Sequence, residues 1–163
     1  MHEIRRKEKA MTNIEDMRSV LREAKHITIA MSANDEPYLV TLSHDYDEQK
    51  NYIYFHCARE GKKMEILRIN NLVWGQALID GGYQMGSCDH LYKTTQFRGR
   101  VTFTEDPIEK EHALELMIRK LDDNPEKVIK EHIKASAVKR VAIGRIDIDY
   151  MSGKKSDKII IQL

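Results

Sequence analysis

Residues 54–67 read YFHCAREGKKMEIL, and this stretch decides how the rest of the chain is interpreted. An apolar strand runs into a short basic turn, and the turn opens a helix whose first residues include Lys62 and Lys63. Unpaired N–H groups give a helix N-terminus about half a positive charge, so each lysine there costs roughly 0.3–1 kcal/mol. A bound anion removes that conflict, because free N–H groups and ammonium groups together bind phosphate. The stretch therefore predicts either a phosphate-binding turn or a solvated basic helix end.

Length, charge and cysteine content exclude several classes of protein. The chain has 163 residues and a formal net charge of +1, which predicts one domain over residues 1–163 and neither nucleic-acid nor membrane-surface binding. No apolar run approaches the roughly 18 residues of a membrane span. Cys57 and Cys88 have no CxxC spacing and the first residues lead into no apolar segment. We therefore expect no disulfide framework, no signal peptide and a cytoplasmic location.

Alternation of apolar residues predicts a β-rich fold with about seven strands. The predicted strands are residues 26–32, 38 to about 44, 52–57, 72–79, 94–104, 140–150 and 158–163. Turns are predicted at 34–37, 81–82 and 152–154, a polar loop at 83–92, and a bulge at Gly99. The strands do not alternate regularly with helices, which favours an antiparallel, mainly β barrel with peripheral helices.

Three helical regions are predicted around these strands. The first covers about residues 12–25, with Thr12 and Glu15 as a capping box, and a short one covers about 61–70. The third lies within about 107–134 and begins at Asp106-Pro107; a break at 122–125 divides it into two helices. The residues expected to bury its apolar stripe are Leu114, Met117, Ile118 and Leu121.

The strand at 52–57 presents one histidine that a ligand can reach. Period 2 places Ile53, Phe55 and Cys57 on the core face and His56 on the opposite face, beside the basic turn. His56 is thus either an ordinary surface histidine or part of a site. The cysteines and histidines lack the paired spacing of structural zinc, so no metal site is predicted. Cys57 is expected to be buried and inert.

Several motifs, taken together in order, resemble one known family. They are Arg5-Arg6-Lys7, Pro37-Tyr38-Leu39-Val40-Thr41-Leu42, residues 55–67, Cys88, Tyr92-Lys93-Thr94-Thr95 followed by Gly99-Arg100-Val101, Ile146-Asp147-Ile148 and Ser152-Gly153-Lys154. In this order they resemble the FMN-binding split barrels of the pyridoxamine 5′-phosphate oxidase-like family, especially the nitroimidazole-resistance-type flavoproteins. The family commonly has proline where Thr41 stands and Asn-Pro where this chain has Asn70-Asn71.

The resemblance implies a homodimer with FMN at the subunit interface. The strand from Tyr38 to Ser43 would lie along the flavin ring through backbone groups, and Lys62 and Lys63 would hold the phosphate. His56, which is also the candidate catalytic residue, and Ala58 would line the flavin edge and ribityl chain. The cofactor-binding residues implied in full are Tyr38, Val40, Thr41, Leu42, Ser43, His56, Ala58, Gly61, Lys62 and Lys63, with Lys93, Thr94 and Thr95 reaching across from the partner.

Three functions remain open at this point. The first is an FMN-dependent oxidoreductase acting on a small organic acceptor such as a nitroaromatic, or on a pyridoxal-like amine. The second is a non-catalytic binding or storage module for FMN or haem, since the family also has haem-binding and deazaflavin-binding members. The third is an interaction domain without a ligand. Trp74 either packs inside the barrel or borders the cofactor.

Overall fold

The computed structural model describes residues 4–156. Within that range the strands are β1 Ala10–Met11, β2 His26–Ala33, β3 Glu36–Asp47, β4 Tyr52–Cys57, β5 Leu72–Gln84, β6 Asp89–Thr104 and β7 Ala142–Ser156. The helices are α1 Ile14–Glu23, α2 Lys62–Ile69, α3 Pro107–Leu121, α4 Pro125–His132 and α5 Ala135–Arg140. The predicted mainly β barrel with peripheral helices is confirmed, whereas α5 was not predicted. The predicted strand at 158–163 lies outside the described residues.

The strands form one antiparallel sheet that closes on itself. Their order is β1-β7-β4-β3-β2-β5-β6, and β6 also pairs with β7, so β2 to β7 complete a barrel. Strand β4 covers β7 only over residues 142–147, and β1 covers it at Gly153 and Lys154. The barrel wall is therefore continuous on one side and interrupted on the other, where β4 ends.

The barrel interior is apolar and is plugged by α1. Met17, Val20 and Leu21 of that helix join the main core. Two buried polar side chains fasten it: the Thr95 hydroxyl donates to the Met17 carbonyl at 2.9 Å, and His44 Nε2 lies 2.9 Å from the Leu21 carbonyl. Because a carbonyl only accepts, Nε2 carries the His44 proton.

Helix α3 packs on the outside of the barrel and buries a second cluster. That cluster contains Tyr54, Ala113, Met117 and Ile143. The predicted alternation of strand β4 is correct for Ile53 and Phe55, which are buried in the barrel, and His56 is exposed. However, Tyr54 is buried on the opposite face as well, because α3 covers it.

Five local predictions are wrong. The side chain that caps α1 is Asn13, not Thr12, and Leu121 of the expected buried stripe is exposed. Strand β5 does not end at 81–82, because the β5–β6 ladder runs through a bulge to the pair Gln84–Asp89, and the loop predicted at 83–92 is reduced to a turn at 85–88. Likewise β7 runs straight through 152–154, where Gly153 is buried so that Met11 and Met17 can pack against the strand. The predicted bulge at Gly99 is confirmed by the register shift between Arg98 and Gly99.

Gly75 allows a close contact inside the barrel, and we expect Gly75→Ala to be strongly destabilising. A Cβ at this position would overlap the ring of Phe97, which lies directly opposite on β6. Overpacking of this kind typically costs about 1–3 kcal/mol. Urea unfolding followed by fluorescence should show the lower midpoint; an unchanged midpoint would contradict the packing described here.

Candidate functional site

One edge of strand β3 is open over most of its length. Strand β2 pairs with residues 36–43 of β3, whereas β4 pairs only with residues 44–47. In the described part of the chain no strand covers the β4 side of residues 36–43. An uncovered strand edge presents a row of backbone donors and acceptors. This edge can therefore bind a flat ligand through backbone groups.

The N-terminus of α2 lies beside the start of this open edge. Gly61 precedes the helix with a φ of 115°, and no side chain caps the first N–H groups. The Lys62 ammonium lies 2.6 Å from Glu36 Oε1 and 5.1 Å from the centre of the Tyr38 ring. Both Glu36 and Tyr38 belong to the open stretch of β3. The predicted anion site and the open edge are thus neighbours.

The second lysine, Lys63, lies beside Cys57 at the end of β4, and we call residues 56–63 the corner. Burial raises the pKa of the Cys57 thiol, and the Lys63 ammonium beside it opposes that rise. The thiol donates a hydrogen bond to Met64 Sδ at 3.8 Å, so it is protonated and already has a hydrogen-bond partner. His56 and Ala58, on either side of Cys57, are exposed. His56 follows the last β3–β4 pair, His44–Phe55, and so lies near the residue-43 end of the open edge, whereas Lys62 reaches Glu36 and Tyr38 at the other end. The segment from His56 to Lys63 therefore runs alongside the open edge.

Side chains of β3 leave mainly the backbone for a ligand. Leu42 is buried in the main core, and Tyr38 and Val40 pack against that core. Thr41 points outward, where its hydroxyl lies 2.9 Å from the hydroxyl of Thr28. Ser43 is half-buried. This arrangement suits the expected role of the strand, in which amide groups rather than side chains line a ring.

Lys93, Thr94 and Thr95 lie elsewhere in the same chain. They belong to β6, which β2 and β5 separate from β3. Three strand spacings of about 4.8 Å amount to roughly 14 Å. Thr95 is buried and bonded to Met17, the Thr94 hydroxyl donates to the Ala77 carbonyl at 2.9 Å, and Lys93 is exposed. Within one chain these residues do not meet the open edge.

The outer face of the barrel carries a row of neighbouring residues that is apolar at Leu39, Ala30 and Trp74. Leu39, Ala30 and Trp74 lie side by side on β3, β2 and β5, and Arg98 and Tyr150 continue the row on β6 and β7. Leu39 is 64% exposed and Trp74 is 40% exposed. A surface depression of about 360 Å³ lies along this row. Trp74 is therefore outside the barrel, on a surface of the kind that binds partners.

Two other features are absent from residues 4–156. No three histidine, cysteine or acidic side chains there lie close enough together to hold a metal ion. None of the helices described in that range is both long enough and apolar enough to cross a membrane.

A barrel that is closed on one side and open beside β3 defines the chain as a split barrel. Residues 13–155 match the family model described as pyridoxamine 5′-phosphate oxidase. The chain therefore belongs to the pyridoxamine 5′-phosphate oxidase family. No curated protein matches it.

Solved structures share this fold at low sequence identity. A candidate 5-nitroimidazole antibiotic resistance protein from Bacteroides thetaiotaomicron is 24% identical, with a TM-score of 0.76 over 91% of this chain and 90% of that one. The flavocytochrome Anf3 from Azotobacter vinelandii is 15% identical, with a TM-score of 0.81 over 96% of this chain and 73% of that one. An FAD-binding protein from Mesorhizobium loti is 21% identical, with a TM-score of 0.66 over 91% of this chain and 98% of that one.

Sequence reasoning missed the contacts that hold the corner in place. Glu36, the partner of Lys62, is 26 residues away in the chain, and Arg59 reaches the Lys139 carbonyl across 80 residues. No local spacing predicts either contact. The turn predicted at 34–37 was the available signal: Asn34 and Asp35, with φ values of 52° and 62°, join β2 and β3 in a hairpin, and Glu36 already belongs to β3.

Proposed function

We propose that this protein is a cytoplasmic flavoprotein, folded as one domain over residues 1–163, that binds FMN along the open edge of β3. The observation that carries the proposal is the position of Lys62, which joins the N-terminus of α2 to the start of that edge. A flat ring needs oriented backbone groups, and a terminal phosphate needs cations beside a helix N-terminus. The open edge of β3 offers the oriented backbone groups, and Lys62 and Lys63 at the start of α2 offer the cations beside a helix N-terminus.

Individual roles follow from the placement of each side chain. Lys62 and Lys63 hold the phosphate, and the positive φ of Gly61 lets the backbone turn toward it. Residues Tyr38 to Ser43 orient the ring through their backbone, and Ala58 leaves space beside it. When bound, FMN supplies electron or hydride transfer through its own ring. His56, exposed at the edge of the site, is the proposed proton donor to the substrate.

A second copy of the chain completes the proposed site. Lys93 and Thr94 lie roughly three strands from the open edge of their own chain, so only those of a partner can reach the ring. Thr95 offers its backbone alone, because its hydroxyl is bonded to Met17 inside the barrel. The exposed row through Leu39 and Trp74 provides the apolar surface for such a homodimer.

Replacing Trp74 by lysine should therefore break the dimer. Burying a charged side chain within an apolar interface is costly, whereas the same substitution on a free surface is nearly neutral. Light scattering after size exclusion should give a dimer for the wild type and a monomer for Trp74→Lys. Ile108→Lys, at an exposed apolar residue on α3, is the matched control and should remain dimeric. A dimeric Trp74→Lys variant would refute this interface.

The proposed activity is reduction of a small organic acceptor such as a nitroaromatic. Purified protein loaded with FMN should be bleached anaerobically by NADH or NADPH, and addition of a nitroaromatic should restore the colour. His56→Ala should slow the second step while leaving FMN bound. Failure of both nicotinamides to bleach the flavin would favour the alternative, a binding or storage module for FMN or haem.

A further inference from the structure

A second cavity lies on the far side of the turn that follows β4. Its volume is about 440 Å³, and it is bounded by Arg59, the N-terminus of α3 and helix α5. Pro107, Ala135 and Val138 give it an apolar wall. The charged side chains that line it are Arg59, Lys110 and Lys139 together with Glu105 and Glu111. Cations therefore outnumber carboxylates by three to two.

Two of these cations converge on a single point. Arg59 Nη2 donates to Glu105 Oε2 at 3.2 Å, and Lys110 Nζ donates to the same oxygen at 2.9 Å. Lys110 is only 2% exposed, an unusual burial for a lysine. The position of Glu105 Oε2 thus marks where an anionic oxygen receives two charge-assisted hydrogen bonds.

Glu105 reaches that point from the solvent side. Its side chain is 70% exposed and can swing into water, whereas the Lys110 side chain is only 3% exposed and stays in the wall of the cavity. Each cation also has a neutral backbone acceptor: Arg59 donates to the Lys139 carbonyl at 2.8 Å, and Lys110 donates to the Val141 carbonyl at 3.3 Å. Each donor therefore retains one hydrogen bond when Glu105 moves away.

We propose that this cavity binds a small organic carboxylate, whose oxygen takes the place of Glu105 Oε2 between Arg59 and Lys110. The apolar body of the ligand packs against Pro107, Ala135 and Val138. This site is separate from the open edge of β3 and needs no flavin. Carboxylates rather than neutral amides are selected, because an amide oxygen placed there brings no negative charge to the two cations and makes weaker hydrogen bonds with them.

The test is a titration of the full chain, as purified, with sodium benzoate at constant ionic strength, followed by the NMR amide resonances of Lys139 and Val141. We expect saturable shifts, at least fivefold tighter binding in Glu105→Gln, and no saturation with benzamide. In the Glu105→Gln background, Arg59→Met should weaken binding at least fivefold. Arg59 is half-exposed, and the dispersion of the amide spectrum of the Arg59→Met variant checks that its fold is retained.

Arg140→Met is the matched control, since Arg140 is an exposed arginine on α5 outside the cavity lining. It should bind benzoate as tightly as its parent. Absence of saturation in Glu105→Gln, or equal affinity with and without Arg59, would overturn the proposal. Because the readout contains no flavin, neither result depends on the proposed function.

Discussion

Replacing both Lys62 and Lys63 by alanine should weaken FMN binding by about a hundredfold or more. Hydrogen bonds to a charged group contribute about 1.5–3 kcal/mol each, and each 1.4 kcal/mol changes an affinity tenfold. Lys62 is also the residue that links the helix to the open edge, through Glu36 and Tyr38. Quenching of flavin fluorescence during titration of FMN into flavin-free protein measures the dissociation constant directly.

The matched control for this prediction is Arg68→Ala. Arg68 is exposed in the last turn of the same helix, so its loss removes one positive charge without touching the N-terminus. Its FMN affinity should stay within about twofold of the wild type, which corresponds to less than roughly 0.5 kcal/mol. If the double variant binds FMN as tightly as Arg68→Ala does, the phosphate does not lie at the α2 N-terminus.

The second large effect concerns stability in acid and depends on His44. This side chain is buried between α1 and β3, where burial and the nearby Lys120 ammonium lower its pKa from 6.5 to about 3. The unfolded chain therefore binds a proton below pH 6.5 that the folded chain rejects, so stability falls as pH drops from 6.5 toward 3. Between pH 7 and 4 the loss is about 3 kcal/mol.

Neighbouring groups reduce this effect in part. Burial raises the pKa of Asp45, which takes up a proton on acidification more readily in the folded state and so acts in the opposite direction. Burial also lowers the pKa of Lys120, but from a value far above this pH range. While the Lys120 ammonium stays charged, it does not change the free energy of unfolding between pH 4 and pH 7. The free energy of unfolding should therefore still decrease from pH 7 to pH 4, in the direction that His44 sets.

Urea unfolding at pH 7 and pH 4 measures that slope in variants. His44→Leu should be less stable at neutral pH, because it loses the bond to Leu21, but should lose much less stability on acidification. His132→Leu removes an exposed histidine at the end of α4 and should retain the wild-type slope. An unchanged slope in His44→Leu would show that His44 is not the acid-sensitive group.

The bounds of β4 were predictable because Ile53 and Phe55 alternate with Tyr52, Tyr54 and His56. The burial of Tyr54 on the second face was not predictable, because it depends on α3 covering the strand. The ends of β5 and β7 were not predictable, since glycine ends a strand in some contexts and permits close packing in others. At Gly82 the Asp80 carboxylate accepts the backbone N–H at 2.7 Å and stabilises a bulge, so the ladder continues.

Much of the candidate site follows from residues 54–67, because a turn and the helix after it are local features. The conflict between lysines and a helix N-terminus pointed to the proposed phosphate-binding residues without any tertiary information. The open edge of β3 depends instead on where β4 stops pairing, which is a property of the whole barrel. The positions of Thr95 and Trp74, one inside the barrel and one outside, depend on register across several strands.

The absorption spectrum of the full chain as isolated tests the central claim most directly. We expect a yellow protein with the absorption spectrum of oxidised flavin. Mass spectrometry of the cofactor released from it should identify FMN, at about one per chain. A colourless protein that takes up no FMN on titration would contradict it, as would a spectrum of haem alone.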